Sequence, residues 1–323
     1  MSSSQRMTMT AALALLALAF APASVAASHD QTGAIQVGSQ SRSYLIHLPP
    51  SHPLMKPVPL LLVFHGGGSQ GGGMLKLTGF DQLADREGFI AVYPNGLDRH
   101  WNDGRSNDPA RTDDVGFIGA LLDKLEREYP IDTMRIFAAG ISNGGFFSQY
   151  LALKLSSRFA AIASVAATLG QGIAQAASPG DPISVLMIHG TDDPIVAYDG
   201  GPVKGRKDYG GVSAPVTTTA SYWAARNGCN AVPAMSALPD IDPADRSTVT
   251  RSDYRECKAG AAVTLYAVKG GGHTWPGGPQ YAPALLIGRT NRDFSASRVI
   301  WDFFKEHPKP RTRVAQHADA GAP

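Results

Sequence analysis

The stretch Arg135–Leu155, RIFAAGISNGGFFSQYLALKL, joins an apolar run, a glycine-flanked turn and a second apolar run. Its first part, Arg135 to Ala138, has the short apolar character of a buried strand, and its last part, Phe146 to Leu155, has apolar residues at helical spacing. Between them GISNG at Gly140–Gly144 matches G-x-S-x-G. A sharp strand-to-helix turn of this kind presents its serine, Ser142, as a nucleophile.

The same alternation of short and long apolar segments continues along the chain. Strands are predicted at Ser43–Leu48, Leu60–Phe64, Phe89–Tyr93, Arg135–Ala138, Ala160–Ala166, Ile183–Ile188 and Ala262–Val268. Helices are predicted at Val115–Tyr129, Phe146–Leu155, Ala214–Arg226 and Ala296–Phe304. Strands that are nearly continuous in apolar residues fit a sheet buried on both faces. The sequence therefore predicts an α/β-hydrolase fold, a doubly wound and mostly parallel sheet with helices on both faces. Weaker strands around Ile35–Val37 and Tyr44–Ile46 are expected to form an antiparallel hairpin at one edge.

The N-terminus has the pattern of a secretory signal peptide. Arg6 precedes the apolar run Ala11–Phe20, and small residues continue to Ala27. The run is shorter than the roughly 20 apolar residues of a membrane span. We expect cleavage after Ala26 or Ala27 and a secreted protein, periplasmic or extracellular; an Ala-rich tail is the alternative.

The expected organisation is a signal peptide at 1–27, one catalytic domain at 28–309 and a disordered tail at 310–323. Proline at 308 should end the last helix at His307. The glycine-rich and charged segment Tyr198–Gly211 is the best candidate for a mobile loop near a site.

A second stretch, Gly67–Gly71, fits the same G-x-S-x-G pattern around Ser69. It follows a strand but shows no helix pattern after it, whereas Ser142 has both neighbours. Ser142 is therefore the predicted nucleophile.

The glycines around Ser69 suit a different task. His65-Gly66-Gly67-Gly68 follows the strand Leu60–Phe64, where hydrolases of this fold supply half of the oxyanion hole. Glycine lets backbone N–H groups face a developing oxyanion without a Cβ in the way. We assign the N–H groups of Gly67 and Asn143, with Gly68 as a near substitute for Gly67.

The acid and the base should follow the nucleophile in that order. The strand Ile183–Ile188 leads into Asp192 and Asp193, and we choose Asp193 by analogy with an H-G-x-x-D arrangement. His273 comes directly after the last predicted strand and is the expected general base. His65 and His189 are expected to brace their loops. These roles imply an acyl-enzyme and require no cofactor.

Charge and cysteine content limit the partners and metal sites that can be expected. The 29 basic and 27 acidic residues nearly balance, so neither nucleic acid nor a membrane is an expected partner. Two isolated cysteines, Cys229 and Cys257, lack the paired spacing of a zinc site, and no metal is expected. In an exported protein they favour a disulfide, which would stabilise by on the order of 3 to 4 kcal/mol in the chain-entropy model.

Several motifs together resemble a known family. They are His65-Gly-Gly-Gly, Trp101-Asn-Asp, Gly140-Ile-Ser-Asn-Gly-Gly, His189-Gly-Thr-Asp-Asp and Gly270-Gly-Gly-His-Thr-Trp-Pro-Gly-Gly. The set is similar to polyhydroxybutyrate-depolymerase-family esterases and to the feruloyl and acetylxylan esterases of carbohydrate esterase family 1. The likeness runs from about Tyr44 to Phe304. It implies Ser142, Asp193 and His273 as the catalytic triad and makes a Cys229–Cys257 link more plausible.

The resemblance also bears on the substrate. Depolymerases that attack solid polyester commonly resemble a catalytic domain followed by a linker and a surface-binding domain, whereas this sequence ends soon after its last predicted helix. We therefore expect soluble esters, cinnamoyl or acetyl sugar esters, or short hydroxyalkanoate oligomers. Trp101, Tyr198 and Trp275 are candidates to stack on an aromatic acid or a sugar, packing beside the site being the alternative.

There are two alternative functions, and nothing in the sequence excludes the first. An acyltransferase would use the same acyl-enzyme with an alcohol in place of water. A secreted binding protein would be expected to have lost part of the triad, and here every member is present in order.

Overall fold

The computed structural model describes residues 30–50, 54–105, 112–173, 181–204 and 211–310. The proposed signal peptide and most of the C-terminal tail lie outside these ranges, as do residues 205–210 of the expected mobile loop. Within the described ranges, no helix combines the length and apolar character needed to cross a membrane.

One large sheet dominates the described part of the chain. Its ten strands lie in the order β1-β2-β4-β3-β5-β6-β7-β12-β11-β10. They are β1 Asp30–Val37, β2 Gln40–His47, β3 Val58–Phe64, β4 Ile90–Pro94, β5 Ile131–Ile141, β6 Ala161–Val165, β7 Ser184–Gly190, β10 Ala234–Ala237, β11 Thr248–Tyr254 and β12 Val263–Lys269. A separate short pair consists of β8 Gly201–Pro202 and β9 Val212–Ser213.

The centre of the sheet, from β4 to β12, is parallel, and the two edges are antiparallel. The hairpin β1–β2 forms one edge as predicted, and β10–β11 forms the other. Because the central strands are parallel, their carboxyl ends share one rim of the sheet, where ligands bind in open α/β sheets.

Helices cover both faces of the sheet, and the fold prediction is confirmed. They are α1 Gly71–Thr78, α2 Phe80–Glu87, α3 Asp114–Glu128, α4 Asn143–Lys154, α5 Val216–Asn227, α6 Ala284–Ile287 and α7 Ala296–Glu306. On one face α3, α4 and α5 pack in one buried cluster that includes Leu60 and Leu62 of β3. On the other face α1, α2 and α7 pack in a second buried cluster that includes Leu61 and Val63 of the same strand. This alternation follows from the two-residue period of a strand.

Two parts of the sequence prediction needed correction here. Helix α1 starts at Gly71, two residues after Ser69. No helix was expected there, because three glycines at its start hide the apolar spacing. The edge strands β10 and β11 were also missed. Strand β10 is exposed at every position and therefore carries no buried apolar pattern.

The cysteine expectation is confirmed. Cys229 and Cys257 form a disulfide that ties the end of α5 to the turn after β11. The antiparallel edge of the sheet is thereby linked covalently to a helix of the parallel part.

Candidate active site

A cavity of about 660 Å³ opens at the carboxyl ends of β3, β5 and β7. It is lined by Gly66, Gly67, Gly68, Ser69, Gly73, Met74, Leu77, Asp98, Arg99, His100, Arg105, Ile141, Ser142, Asn143, Ile195, Val203, Lys204, His273, Tyr281 and Ile287. The predicted nucleophile, general base and oxyanion-hole residues thus all line the same cavity, although they are far apart in the sequence.

Ser142 occupies a strained turn between β5 and α4. Its φ of 56° and ψ of −127° place a residue with a Cβ in a region that L-amino acids rarely adopt. A Cβ on Gly140 would overlap the backbone of Gly144, and one on Gly144 would overlap the carbonyls of Phe64 and His65. The two glycines of the motif therefore allow the turn to close, and the turn presents the Ser142 side chain to the cavity.

The loop after β3 brings backbone N–H groups to the same place. The N–H of Gly68 already donates to the Arg99 carbonyl at 2.8 Å, whereas the N–H of Gly67 has no acceptor among the described residues. A Cβ built on Gly67 would lie 3.9 Å from the Cβ of Asn143, so the two residues are neighbours. Of the two glycines considered, Gly67 is the one whose donor remains available.

The side chain of Asn143 is fully committed to the neighbouring loop. Its Oδ1 accepts the Trp101 N–H at 2.8 Å, and its Nδ2 donates to the Trp101 carbonyl at 3.0 Å and to Asp103 Oδ2 at 2.7 Å. Asp103 is in turn paired with Arg105 at 2.7 Å, and the guanidinium lies 3.8 Å above the ring of Phe146. This network fixes the first residue of α4 and therefore the direction of its backbone N–H.

His65 braces the loop, as predicted from the sequence. Its Nδ1 donates to the Gly66 carbonyl at 2.9 Å, and its Nε2 accepts the Gly96 N–H at 2.9 Å. Burial lowers the pKa of His65 to about 4, so the ring is neutral at pH 7 and keeps one donor and one acceptor. The His65 carbonyl also accepts the indole N–H of Trp101 at 3.0 Å.

Asp193, rather than its neighbour, contacts the predicted base. Asp193 Oδ2 accepts from His273 Nδ1 at 2.7 Å, and its Oδ1 accepts the N–H groups of Ile195 and Val196, each at 2.8 Å. Asp192 is exposed and accepts from the hydroxyl of Thr191. The two adjacent carboxylates therefore differ in direction, and only Asp193 can fix the tautomer of His273.

The loop that carries His273 packs closely against the backbone of Ile287 and Gly288. A Cβ on Gly272 would overlap Ile287 and Gly288, and the His273 N–H donates to the Ile287 carbonyl at 2.5 Å. The hydroxyl of Tyr281 donates to the His273 carbonyl at 2.6 Å. Burial raises the pKa of Tyr281, which keeps this donor protonated. With Nδ1 bound to Asp193, Nε2 is the ring nitrogen of His273 that can serve Ser142.

The three aromatic candidates for substrate stacking lie elsewhere, and that expectation is corrected. Trp101 is fully buried and stacks on Phe147 at 4.9 Å, and Trp275 is buried with its indole N–H on Ser297. Tyr198 is half-buried against His189 and does not line the cavity. The indoles are held by packing and by hydrogen bonds, so neither ring has a face free for a ligand.

Sequence reasoning missed several lining residues. Met74 and Leu77 come from the undetected helix α1, and Tyr281 and Ile287 come from a segment without a predicted element. The Trp101-Asn102-Asp103 motif is the part of the sequence that could have indicated the hydrogen bonds holding the Asn143 side chain. An aspartate beside a buried tryptophan is a hydrogen-bond acceptor that needs a partner.

Comparison with known proteins identifies the family of this chain. The family model for Esterase PHB depolymerase matches residues 42–226. The NocK protein of Nocardia uniformis subsp. tsuyamanensis is 32% identical over 281 residues, covering 83% of this chain and 80% of its own length. Feruloyl esterase D of Neurospora crassa is 27% identical over 287 residues, covering 85% and 86%.

Among solved structures, the acetyl xylan esterase from Aspergillus awamori superposes with a TM-score of 0.55 at 14% identity, over 76% of this chain and 94% of that one. At this identity the likeness bears on the fold alone. The family match and the relatives cover most of the described chain and include the elbow around Ser142. The chain belongs to the PHB depolymerase esterase family and is a carboxylic ester hydrolase of the α/β-hydrolase fold.

Proposed function

We propose that the protein is a serine esterase that forms an acyl-enzyme on Ser142. The observation that carries the proposal is the pair His273 Nδ1 and Asp193 Oδ2 at 2.7 Å, set in the wall of the cavity to which the strained turn presents Ser142. This is the constellation that activates a serine hydroxyl on many unrelated folds.

In the proposed mechanism His273 Nε2 takes the proton of Ser142 as the hydroxyl oxygen attacks the ester carbonyl. The carbonyl π electrons move to its oxygen, and the N–H groups of Gly67 and Asn143 stabilise this oxyanion. The intermediate collapses, the C–O bond to the alcohol breaks, and His273 returns its proton to the leaving alcohol. Water then repeats the sequence on the acyl-enzyme with His273 as base, releasing the acid and free Ser142.

Asp193 holds the ring in the tautomer that this cycle needs. Its Oδ1 is bound by two backbone N–H groups, so the carboxylate cannot rotate away when His273 becomes charged. The imidazolium formed during the reaction is then stabilised by a fixed, buried anion.

The test is hydrolysis of p-nitrophenyl acetate by the mature protein, with Ser142→Ala and Ser69→Ala compared. Ser69 lies in the other G-x-S-x-G match and also lines the cavity, so it is the matched control. We expect Ser142→Ala to lower kcat by at least about 10⁴-fold and Ser69→Ala to lower it by less than about tenfold. A pre-steady-state burst of about one p-nitrophenol per protein would identify the acyl-enzyme. Equal activity of the two variants would rule out Ser142 as nucleophile.

The substrate class follows from parallel assays on methyl ferulate, acetylated xylan and a polyhydroxybutyrate suspension. Relatives of this chain carry the names feruloyl esterase and acetylxylan esterase/xylanase, and the family model carries the name PHB depolymerase. We propose an ester of one of these classes, a small, oligomeric or polysaccharide-linked molecule. Comparison of kcat/KM values would rank them.

We also propose that the protein is exported and loses residues 1–27. The support is the signal-peptide pattern around Ala11–Phe20, together with a disulfide, a bond typical of oxidising compartments. Sequencing of the exported protein should give an N-terminus at Ala27 or Ser28. A chain that keeps Met1 in the cytoplasm would contradict export.

A further inference from the structure

Two consecutive residues in the wall of the cavity have a strained backbone. Asp98 has φ 50° and ψ 26°, and Arg99 has φ 58°. Among the residues that the structure describes, they are the only two adjacent non-glycine residues in the left-handed region. Strain of this kind persists only where the surrounding structure imposes it, and it is concentrated at functional sites. The segment Gly96–His100, here named the strained turn, is therefore a candidate part of the active site.

Both ends of the strained turn are anchored to the proposed oxyanion hole. The N–H of Gly96 donates to His65 Nε2 at 2.9 Å, in the loop after β3. Trp101, which follows the turn, donates its backbone N–H to Asn143 Oδ1 at 2.8 Å. The turn is also tight, because a Cβ on Gly96 would overlap the carbonyl of His100. It therefore connects the loop after β3 with the start of α4 by a short, constrained path.

Between these anchors the strained turn contacts both glycines considered for the oxyanion hole. The Arg99 carbonyl accepts the N–H of Gly68 at 2.8 Å. The ring of His100 lies against Gly67, since a Cβ built on that glycine would be 3.2 Å from His100 Nδ1 and 3.4 Å from Cε1. His100 is half-buried and lines the cavity. The left-handed backbone thus places a carbonyl on one glycine and a ring on the next.

The two contacts fix different parts of Gly67. The bond from the Gly68 N–H to the Arg99 carbonyl holds the peptide group that follows Gly67. The His100 ring prevents the α-carbon of Gly67 from moving towards the turn. A donor that stabilises an oxyanion is effective only if it is oriented before the reaction, because reorientation during the reaction would cost free energy.

We propose that the strained turn positions the oxyanion hole, with His100 as the positioning residue that holds Gly67. His100 acts through this contact, and the reacting atoms meet only the N–H group that the contact keeps in place. The inference rests on the proposed function, because the oxyanion forms when Ser142 attacks the ester carbonyl.

Substitutions of His100 test the contact through the separation of kcat from KM. His100→Ala should lower kcat on p-nitrophenyl acetate by at least about tenfold and change KM by less than about twofold, because the oxyanion exists only in the transition state and intermediates. His100→Phe keeps a ring against Gly67 and should stay within about threefold of the wild type. The matched control is His307→Ala, another half-buried histidine that does not line the cavity. Its kcat should change by less than about twofold.

A second measurement reports on the oxyanion itself. An alkyl trifluoromethyl ketone is attacked by the Ser142 oxygen, the serine proton passes to His273, and the carbonyl oxygen becomes an anion in the hole. The Ki of this inhibitor should rise by at least about tenfold in His100→Ala and by less than about threefold in His100→Phe. A loss of stability without a role at the hole would leave Ki unchanged in the folded protein.

A double-mutant cycle tests whether His100 and Gly67 are coupled. Gly67→Ala places a methyl group against the ring and should lower kcat by at least about tenfold. In Gly67→Ala/His100→Ala the methyl group gains space, so the combined loss should be at least about tenfold smaller than the product of the two single losses. The control is Gly119→Ala, whose Cβ would meet open space. Its effect should combine with His100→Ala without coupling.

Several outcomes overturn the inference. Unchanged kcat and Ki in His100→Ala would remove the positioning role, as would independent losses in the cycle. A loss in His100→Phe equal to that in His100→Ala would mean that the ring nitrogens act directly, and a rise in KM alone would make His100 a substrate contact. Thermal unfolding checks that each variant is folded; if His100→Ala is not, an unchanged kcat in Gly67→Ala still contradicts the contact.

The proposed function fails by a different result. Activity in Ser142→Ala would remove the serine mechanism whatever the His100 variants do. Inactive Ser142→Ala together with a fully active His100→Ala would remove the strained turn from the mechanism and leave the serine esterase in place.

Discussion

His65-Gly66 directly follows β3 and His189-Gly190 ends β7, and the loops that these two pairs lead into bring different groups to the candidate active site. After β3, His65-Gly66 leads into glycines, and the group that we propose this loop presents is the backbone N–H of Gly67. At the end of β7, His189-Gly190 leads to Asp193, whose carboxylate is bound to His273.

His65 and His189 have similar surroundings at Nδ1. Each is buried, each donates from Nδ1 to the carbonyl of the next glycine, and burial lowers the pKa of each. They differ at Nε2. In His65 it accepts the Gly96 N–H at 2.9 Å, whereas in His189 it has no partner among the described residues and the ring packs edge-on against Tyr198.

The difference reflects what each loop presents. A loop that presents a backbone N–H has no functional side chain to anchor it, so another residue must fix its path, and His65 does so. The loop after β7 is anchored by its own functional group, because Asp193 Oδ1 accepts two backbone N–H groups of the same loop. His189 can therefore act as packing.

The largest expected effect is on the carboxylate. Asp193→Asn should lower kcat on p-nitrophenyl acetate by about 10⁴-fold, because an amide stabilises the wrong tautomer of His273. Its Oδ1 can still accept the two N–H groups, so the free energy of unfolding should change by less than about 1 kcal/mol. The control is Asp192→Asn, exposed and one residue away, with an expected loss below about threefold. Equal losses in the two variants would contradict the assignment.

The next largest effect is expected on stability, at His65, which holds the loop after β3. His65→Phe should lower the free energy of unfolding by about 3 kcal/mol, because it leaves the buried Gly96 N–H without an acceptor and removes the bond to Gly66. Chemical denaturation at pH 7 measures it. The loop that carries Gly67 should also shift. We therefore expect kcat to fall by a larger factor than the factor by which KM changes. A variant as stable and active as the wild type would show that the loop does not need the histidine.

The proposed nucleophile and base could be selected from the sequence because each has a local pattern. Ser142 lies between a strand and a helix that are both apolar, and His273 lies directly after a strand. Asp193 was harder to identify, since two adjacent aspartates share every local feature and only the backbone direction separates them. The fold followed in the same way, from buried strands with strong apolar character.

What the sequence left hidden depends on contacts between distant segments. The Asn143–Asp103 bond joins residues 40 positions apart, and the tie between Ile287 and His273 forms in a segment with no periodic pattern. For Trp101 and Trp275 the sequence left stacking and packing open, because an aromatic residue beside a motif looks the same in sequence whether its face is open or packed. Tertiary packing decides between these cases.

The depressed pKa of His65 predicts that the stabilisation provided by this residue depends on pH. Its native pKa is about 4, against about 6.5 in the unfolded chain. Between these values the unfolded state binds the proton and the native state does not, so the stabilisation by neutral His65 falls as the pH falls and is constant below about pH 4. The difference in unfolding free energy between wild type and His65→Phe should shrink by about 2.5 kcal/mol from pH 7.5 to 4.5. The comparison cancels the other titrating groups, and a difference independent of pH would contradict it.

The smallest expected effect is on the second histidine. His189→Phe keeps a ring of similar size against Tyr198 and loses only the bond from Nδ1 to the adjacent Gly190 carbonyl. Because Nε2 has no partner in the described structure, no buried donor is left unsatisfied by the change. We expect a loss below about 1 kcal/mol in unfolding free energy and a change in kcat/KM below about threefold. Denaturation and p-nitrophenyl acetate assays run beside His65→Phe measure both. A loss as large as that of His65→Phe would mean that the two His-Gly loops are braced alike, and the anchoring role given to Asp193 Oδ1 would be wrong.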